Sequence, residues 1–241
     1  MKNTHIQFLD LGVCDYKIAL ASQEDLLKQI ISIKLDRDTN GEPSTPNFLL
    51  FVEHPAVYTL GKSGDEHNLL LNYIQLQDRK AAFYKTDRGG DITFHGPGQL
   101  VGYPILDLEN FTIGLRQYIY SIEEVIIQTI SMLGLSGTRD PDAAGVWLDV
   151  GTAKARKICA IGVKSSRSVT MHGFALNVNT DLSYFKDINP CGFSDKGVTS
   201  LQNELGEIID FDHVKAILRD KFAEVFGASI DKMPFQSQFR P

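Results

Sequence analysis

The spacing of the strand-like segments is the feature that most restricts how this chain can fold. DITFH and QLVGYPILDL are separated by three residues, and so are KICAIGVKS and VTMHGFALNVN. Antiparallel neighbours can be joined by tight turns, whereas parallel neighbours need a dozen or more connecting residues. The spacing therefore predicts a mixed, mostly antiparallel sheet, and it disfavours a doubly wound nucleotide-binding fold.

Hydrophobic periodicity predicts three helices and several further strands. The helices are expected at about Tyr16–Leu35, at Leu115–Leu133 ahead of Gly134, and at Asp212–Phe226 ahead of Gly227. NFLLFVEH and AVYTLG are expected to be two strands broken at Pro55, and AAFYKT and AGVWLDV to be further strands. Residues 1–241 are thus expected to form a single domain of α/β (α+β) class, with helices packed on the sheet.

Composition excludes several classes of protein. The chain has 241 residues, of which 43% are hydrophobic, so it can bury a full core. The first thirty residues lack a signal-peptide pattern, and no apolar run approaches the roughly 18 residues of a membrane span, which predicts a cytoplasmic protein. Three cysteines without metal-ligand spacing argue against disulfides and structural zinc, and a net charge of -6 disfavours nucleic-acid binding.

A basic segment interrupts this acidic composition. TAKARKICAIGVKSSRS contains five basic residues and no acidic one: Lys154, Arg156, Lys157, Lys164 and Arg167. Such a segment is either a solvated rim or a docking surface for an acidic partner.

The segment RGGDITFHGPGQLVGYP combines two glycine-rich turns with Arg88 and His95. Glycines let the backbone approach a ligand closely, and their N–H groups can line a binding site. The alternative is an ordinary hairpin turn. A phosphate-binding loop is excluded because the required GK[ST] ending is absent.

Cys191, in DINPCGFSDKGVTSL, lies between a proline and a glycine in a segment without helical or strand periodicity. A buried structural thiol normally sits in an apolar run. A loop cysteine becomes a nucleophile when a cation favours its thiolate, and Lys157 is the candidate cation. Cys159 is the rival nucleophile: it is expected on the same strand face as Lys157, but its apolar surroundings predict a packed side chain.

Six motifs, in this order and spacing, resemble the octanoyltransferases, the lipoyl(octanoyl) transferases that begin protein lipoylation. They are EHPAVYTLGKS, RGGDITFHGPGQLVGYPILDL, GVWLD, RKICAIGVK, MHGFALNVNTDL and INPCGF. The resemblance spans Glu53–Phe193. It implies the fold shared with biotin protein ligases and lipoate ligases.

The resemblance also implies roles for individual residues. Cys191 matches the nucleophile that carries the octanoyl chain as a thioester, and Lys157 matches the lysine that activates it. His172 is a supporting candidate that could equally be structural, and Asp91 stands where the family varies. The family's substrate-binding segments match Arg88, Gly89, Gly90, Asp91, Ile92, Thr93, Phe94 and His95; Ala160, Ile161 and Gly162; and Gly173, Phe174 and Ala175.

The implied reaction uses no cofactor or metal. Octanoyl-acyl carrier protein is the implied donor, and the acceptors are lipoyl domains of 2-oxoacid dehydrogenase complexes and the glycine cleavage H protein. Phe94, Ile161 and Phe174 are expected to supply an apolar slot for the acyl chain. Charge reversal at Lys154, Arg156 and Lys164 is expected to weaken use of the acidic donor.

Three alternatives remain open from the residues alone. The same scaffold in an ATP-dependent lipoate or biotin ligase would form an acyl-adenylate and would need no thiol. A non-catalytic acyl or lipoyl-domain binder would bind without turnover. A related amidotransferase would move octanoyl between two lipoyl-domain proteins through a cysteine.

Overall fold

The computed structural model describes residues 2–40, 44–189 and 197–232, so Cys191 lies outside the described residues. Two short 3-10 helices, Glu66–Asn68 and Leu182–Asp187, accompany the main elements. In chain order these are β1 (His5–Val13), α1 (Tyr16–Asn40), β2 (Asn47–Glu53), β3 (Val57–Leu60), α2 (Tyr73–Asp78), β4 (Ala82–Lys85), β5 (Ile92–His95), β6 (Gln99–Ile105), α3 (Leu108–Phe111), α4 (Leu115–Ser131), β7 (Thr138–Asp140), β8 (Ala143–Leu148), β9 (Arg156–Ser166), β10 (Val169–Asn177), β11 (Gly197–Val198), α5 (Leu201–Leu205), α6 (Phe211–Phe226) and β12 (Ser229–Lys232).

The described strands form one large and one small sheet. The large sheet has the order β12-β1-β2-β6-β10-β9-β8-β7, with β11 added beside β9. β2, β6, β10, β9, β8 and β7 are antiparallel neighbours, whereas β12, β1 and β2 are parallel. The small sheet has the order β4-β3-β5. The predicted mixed, mostly antiparallel sheet is therefore confirmed, and α1 provides the long connection that the parallel pair β1 and β2 requires.

The helices cover the two faces of the large sheet. One hydrophobic cluster joins α4 and α6 to one face, and its α4 members recur at three- and four-residue steps, as predicted: Tyr118, Ile122, Val125, Ile126 and Ile130. A second cluster joins α1 to the opposite face at β2, β6 and β10. Beside α1, the loop that leads into β5 of the small sheet approaches this face at Gly162 and is hydrogen-bonded to Val163 on β9.

The sequence analysis did not predict β1 and β12. They pair with each other from His5 opposite Ser229 to Phe8 opposite Lys232, at one edge of the large sheet. Parallel partners distant in sequence leave no turn signal, because the pairing is decided by long-range contacts.

A buried ion pair fixes α1 to the turn before α3. The Lys34 Nζ lies 2.8 Å from Asp107 Oδ1, and the two side chains are 6% and 0% exposed. Thr45 Oγ1 donates to the other oxygen of Asp107 at 2.8 Å. Removal of one partner from a buried pair leaves an uncompensated charge, which is strongly destabilising.

We predict that Lys34→Met lowers the free energy of unfolding by about 3–5 kcal/mol, because Asp107 loses its buried counter-charge. Lys28 on the same helix is the matched control: its pair with Asp25 is 72% and 82% exposed. Lys28→Met should have a much smaller effect. Urea unfolding of both variants measures the difference, and equal losses would contradict the assigned importance of the buried pair.

Candidate active site

A cavity of about 560 Å³ opens between the large and small sheets, among the described residues. Of the described residues to which the resemblance gives a role, all except Phe94 line it: Arg88, Gly89, Gly90, Asp91, Ile92, Thr93, His95, Lys157, Ala160, Ile161, Gly162, His172, Gly173, Phe174 and Ala175. These residues come from three separate stretches of the chain, 88–95, 157–162 and 172–175. The fold therefore brings into one cavity the residues that the resemblance assigned to one site.

Phe94 is buried within the small sheet instead of at the cavity. Its ring is 1% exposed and stacks on Tyr184 at 4.4 Å between centroids. Side chains alternate along a strand, so the neighbours Thr93 and His95 turn towards the other side. The expectation that Phe94 forms part of the acyl slot does not fit this placement.

Ile161 and Phe174 also contribute differently from the expected slot. They are register partners on β9 and β10, and both pack in the hydrophobic cluster beneath α4. Ala160 and Ala175 form the next register pair and so present their side chains to the opposite face, where Ala175 packs with the α1 cluster. On that face the small side chains of Ala160 and Ala175 line the cavity and leave its volume unfilled.

The loop around Arg88 is held over the sheet by hydrogen bonds to the backbone. The Arg88 guanidinium is buried and donates to the carbonyl of Thr59 at 2.6 Å and to the carbonyl of Gly89 at 3.1 Å. Gly89 N–H donates to the carbonyl of Val163 on β9 at 2.9 Å. At Gly162, a Cβ would lie 2.9 Å from the carbonyl oxygen of Gly89, so the close approach of loop and strand depends on glycine.

His95 belongs to a chain of side-chain hydrogen bonds between the two sheets. Its Nδ1 lies 2.8 Å from Gln99 Oε1, and Gln99 Nε2 donates to Asn177 Oδ1 at 2.8 Å. Asn177 in turn donates to the carbonyl of Thr199. Burial lowers the pKa of His95 to about 3, with His54 as a second cause, so the ring is neutral. Its geometry fits a structural connector better than an acid or base.

Aromatic and histidine side chains close the inner end of the cavity. Tyr16 and Tyr103 both line it, and the Tyr16 ring is stacked on His95 at 6.1 Å between centroids. His54 lies behind them, with Nε2 2.8 Å from Tyr103 Oη and Nδ1 2.7 Å from the carbonyl of Cys14. Burial lowers the pKa of His54 to about 4 and raises that of Tyr16 to about 12.

His172 is a buried cavity residue with a specific partner. Its Nε2 lies 2.9 Å from Asp87 Oδ1, its backbone N–H donates to Gln23 Oε1, and its φ is 57°. Burial lowers the pKa of the ring, and the hydrogen bond to Asp87 acts in the opposite direction. A non-glycine residue in this conformation is held there by its surroundings, and the hydrogen bond to Asp87 orients the ring.

Lys157 lies at the outer end of the cavity, where a carbonyl oxygen and an aromatic ring contact its amine. Its Nζ donates to the carbonyl of Ala144 at 3.2 Å and lies 4.5 Å from the ring centroid of Trp147. Gly145 has φ 125°, and a Cβ there would lie 2.5 Å from the carbonyl oxygen of Cys159, so the close approach of β8 and β9 beside the lysine depends on glycine. The Ala144 carbonyl and the Trp147 ring position the amine.

Cys159 does not share the environment of Lys157, contrary to the expectation of a common face. Val146 pairs with Cys159, but Trp147 pairs with Lys157, so Ile158 is an extra residue that breaks the alternation. Cys159 is fully buried, and burial raises the pKa of its thiol well above the usual range. The prediction that this thiol is packed is confirmed.

The segment that contains Cys191 is bounded by cavity residues. Ile188, before it, and Gly197 and Val198, after it, all line the cavity. Val198 pairs with Lys157, and Thr199 N–H donates to the carbonyl of Lys157.

Neither a metal centre nor a membrane span is found in the described part of the chain. Across residues 2–40, 44–189 and 197–232, no group of three histidine, cysteine, aspartate or glutamate side chains is arranged to hold a metal ion. None of the described helices combines the length and apolar character needed to cross a membrane.

Several cavity residues were missed from the sequence. Tyr16, Val101, Tyr103 and Trp147 line the cavity but belong to ordinary helix or strand patterns. The available signal was membership of the quoted motifs: Val101 and Tyr103 lie in RGGDITFHGPGQLVGYPILDL, and Trp147 lies in GVWLD.

Comparison with known proteins gives a consistent result. Residues 15–223 match the lipoyl protein ligase A/B catalytic domain family. The octanoyltransferase of Flavobacterium johnsoniae is 56% identical over 230 residues, covering 95% of this chain and 99% of the relative. That of Christiangramia forsetii is 52% identical over 230 residues, covering 95% and 98%.

Solved structures show the same fold at low sequence identity. A bi-partite lipoate protein ligase from Thermoplasma acidophilum has a TM-score of 0.69 and 14% identity, covering 99% of this chain and 89% of that one. A lipoate-protein ligase A bound with ATP has a TM-score of 0.67 and 13% identity, covering 98% and 91%. The biotin protein ligase of Aquifex aeolicus reaches a TM-score of 0.52 at 12% identity, covering 92% and 70%. The expected biotin and lipoate ligase fold is confirmed.

The buried histidines at the inner end predict acid sensitivity. The folded-state pKa values of about 4 for His54 and about 3 for His95 lie below the ordinary value of about 6.5. Above pH ~6.5 both the folded and unfolded states hold neutral rings, so no free energy is lost. Between pH ~6.5 and ~4 both rings become protonated in the unfolded chain but stay neutral in the folded protein. The free energy of unfolding therefore decreases as pH falls, by at most about 1.4 kcal/mol per pH unit for each ring.

His54→Gln should show a shallower loss of stability than the wild type, because glutamine can keep both hydrogen bonds without taking up a proton. Urea unfolding from about pH 7 to about pH 5 checks this, and the difference between the two proteins cancels the contribution of carboxylates. Parallel pH dependences would show that His54 is not held neutral by burial.

Proposed function

The chain belongs to the octanoyltransferases of the lipoyl protein ligase A/B family, and we propose that it transfers an octanoyl group from a carrier-bound thioester to a lysine of a lipoyl domain through a thioester on Cys191. It acts as an acyltransferase, with residues 1–241 as one catalytic domain. The supporting observation is the cavity: Lys157 lies at its outer end, and the residues on both sides of the Cys191 segment line its wall.

In the first half-reaction, the Cys191 thiolate attacks the carbonyl carbon of the octanoyl thioester. The new carbon–sulfur bond replaces that to the carrier thiol, which leaves as a thiolate and takes a proton from the Lys157 ammonium. An opposite charge within about 4–6 Å favours a thiolate by about 1–3 pKa units. Exchange of one thioester for another is nearly balanced in energy, so no ATP is needed.

In the second half-reaction, the lysine of the lipoyl domain attacks the Cys191 thioester. It must lose a proton to become a nucleophile, and neutral Lys157 accepts that proton as general base. An amide forms and the Cys191 thiolate is released beside a regenerated ammonium. The Ala144 carbonyl and the Trp147 ring hold the Lys157 side chain in place for both steps.

The described residues suggest a narrower donor-docking surface than the whole basic segment. Arg156 is paired with Asp149 and Glu204, and Lys164 with Asp87. These pairs connect parts of the fold and offset the positive charge. β9 has 11 residues and is therefore about 36 Å long, so the basic residues are spread along it. We place the docking of an acidic carrier at exposed Lys154, three residues from Lys157.

We predict that Cys191→Ala abolishes the octanoyl adduct seen by intact-mass analysis when the protein is incubated with octanoyl-acyl carrier protein and no ATP. Cys159→Ala is the control and should keep the adduct, because that thiol is buried. Lys157→Met should slow adduct formation and amide transfer at least about 100-fold. An adduct that persists in Cys191→Ala, or a requirement for ATP, would refute the proposed mechanism.

Lys154→Glu should lower kcat/KM for octanoyl-acyl carrier protein severalfold at low salt, and the effect should shrink as salt screens the charge. Arg167→Glu, an exposed reversal at the far end of β9, is the control and should leave kcat/KM unchanged. A small octanoyl thioester without carrier should be used equally by all three proteins. Equal effects of both reversals would reject docking at Lys154.

A further inference from the structure

The cavity has a floor that runs across the strands from Lys157 to a definite end. Ala160 on β9, Ala175 on β10 and Val101 on β6 are successive register partners, and all three line the cavity. Gly145 on β8 pairs with Ala160 and lies beneath the Lys157 side chain. Register partners on neighbouring strands point to the same face, so this floor, formed by Ala160, Ala175 and Val101, is continuous.

The floor ends at Val101. The next register partner is Val52 on β2, which is fully buried and is not among the described residues that line the cavity. Val101 is packed into the hydrophobic cluster beneath α1. Tyr16 and Tyr103 stand at the same end and are fixed by His95 and His54.

The two sides of the floor are also closed to an alkyl chain. On one side Gln99 and Asn177 are hydrogen-bonded to each other, and an apolar chain among them would displace buried polar partners. On the other side Arg88 and Gly89 lie over Gly162, with Arg88 Cδ 3.2 Å from the position of a Gly162 Cβ. An extended chain that starts at Lys157 is thus directed across the strands towards Val101.

The length of this floor matches an eight-carbon chain. Neighbouring strands are about 4.8 Å apart, so the distance from β8 to β6 is about 14 Å. An extended alkyl chain advances roughly 1.25 Å per bond, from carbon–carbon bonds of about 1.52 Å at tetrahedral angles, so octanoyl spans about 9 Å. Two strand intervals, about 9.6 Å, take it from Gly145 to Ala175, and the remaining interval of about 5 Å leaves its methyl end in van der Waals reach of the Val101 side chain on β6.

We infer that Val101 is the chain-length determinant of the acyl cavity, with Ala175 keeping the approach to it open. This inference rests on the proposed function for the place of the thioester at the Lys157 end. Dodecanoyl, at about 14 Å, would need the space that Val101 occupies.

Competition among hexanoyl, octanoyl, decanoyl and dodecanoyl carrier thioesters tests the inference, with the acylated lipoyl domain resolved by intact mass. Val101→Ala should raise the decanoyl-to-octanoyl product ratio about tenfold or more, because the end wall recedes. Ala175→Val should shift the preference the other way, towards hexanoyl. Val52→Ala, the same change one strand further along, should leave the ratio as in the wild type.

Calorimetric measurement of free fatty acid binding tests the chain-length inference independently of the proposed acyl transfer through Cys191. Val101→Ala should move the tightest-bound length from eight carbons to ten even if transfer proves to use another nucleophile. Unchanged length preferences in both Val101→Ala and Ala175→Val, with both variants folded by circular dichroism, would overturn the inference. So would a shift in Val52→Ala as large as that in Val101→Ala.

Discussion

The register of β9 against its neighbours is the constraint on which the rest of the site depends. Ala160 pairs with Gly145 on one side and with Ala175 on the other, so small side chains line one face of the sheet from edge to centre. A slip of β9 by one residue would bring Ile161 to that face in place of Ala160 and fill part of the space. The hydrogen-bonded ladder thus determines both the hydrophobic core beneath α4 and the empty volume above the opposite face.

A second sheet turns this face into an enclosed cavity. The loop from Arg88 to Gly90 is fixed to β9 through Gly89 and Val163, while His95 and Gln99 join the small sheet to β6. The polar groups in these connections are buried and hydrogen-bonded, so they rigidify the enclosure without attracting solvent into it. Two histidines that are kept neutral by burial are part of this arrangement.

The position of Lys157 results from an irregularity in the strand. The bulge at Ile158 separates Lys157 from Cys159, so that the amine reaches the cavity while the thiol stays in the core. Trp147 and the carbonyl of Ala144 then hold the amine at one place. The extra residue Ile158 therefore places Lys157 at the cavity and Cys159 in the core.

The sequence by itself determined the helices α1, α4 and α6, the antiparallel pair β9–β10 and the family, because short turns, periodicity and successive motifs are local properties. The equally short turn between β5 and β6 did not make them partners, because β5 pairs with β3 in the small sheet and β6 with β2 and β10 in the large one. The sequence also predicted the packed state of Cys159 from an apolar run. Only the tertiary structure decided that Phe94 turns away, that Arg156 and Lys164 are already paired, and that the cavity ends at Val101. These outcomes depend on which strands, distant in sequence, become neighbours in the fold. That pairing is determined by the burial of the whole chain, and a local sequence pattern does not contain this information.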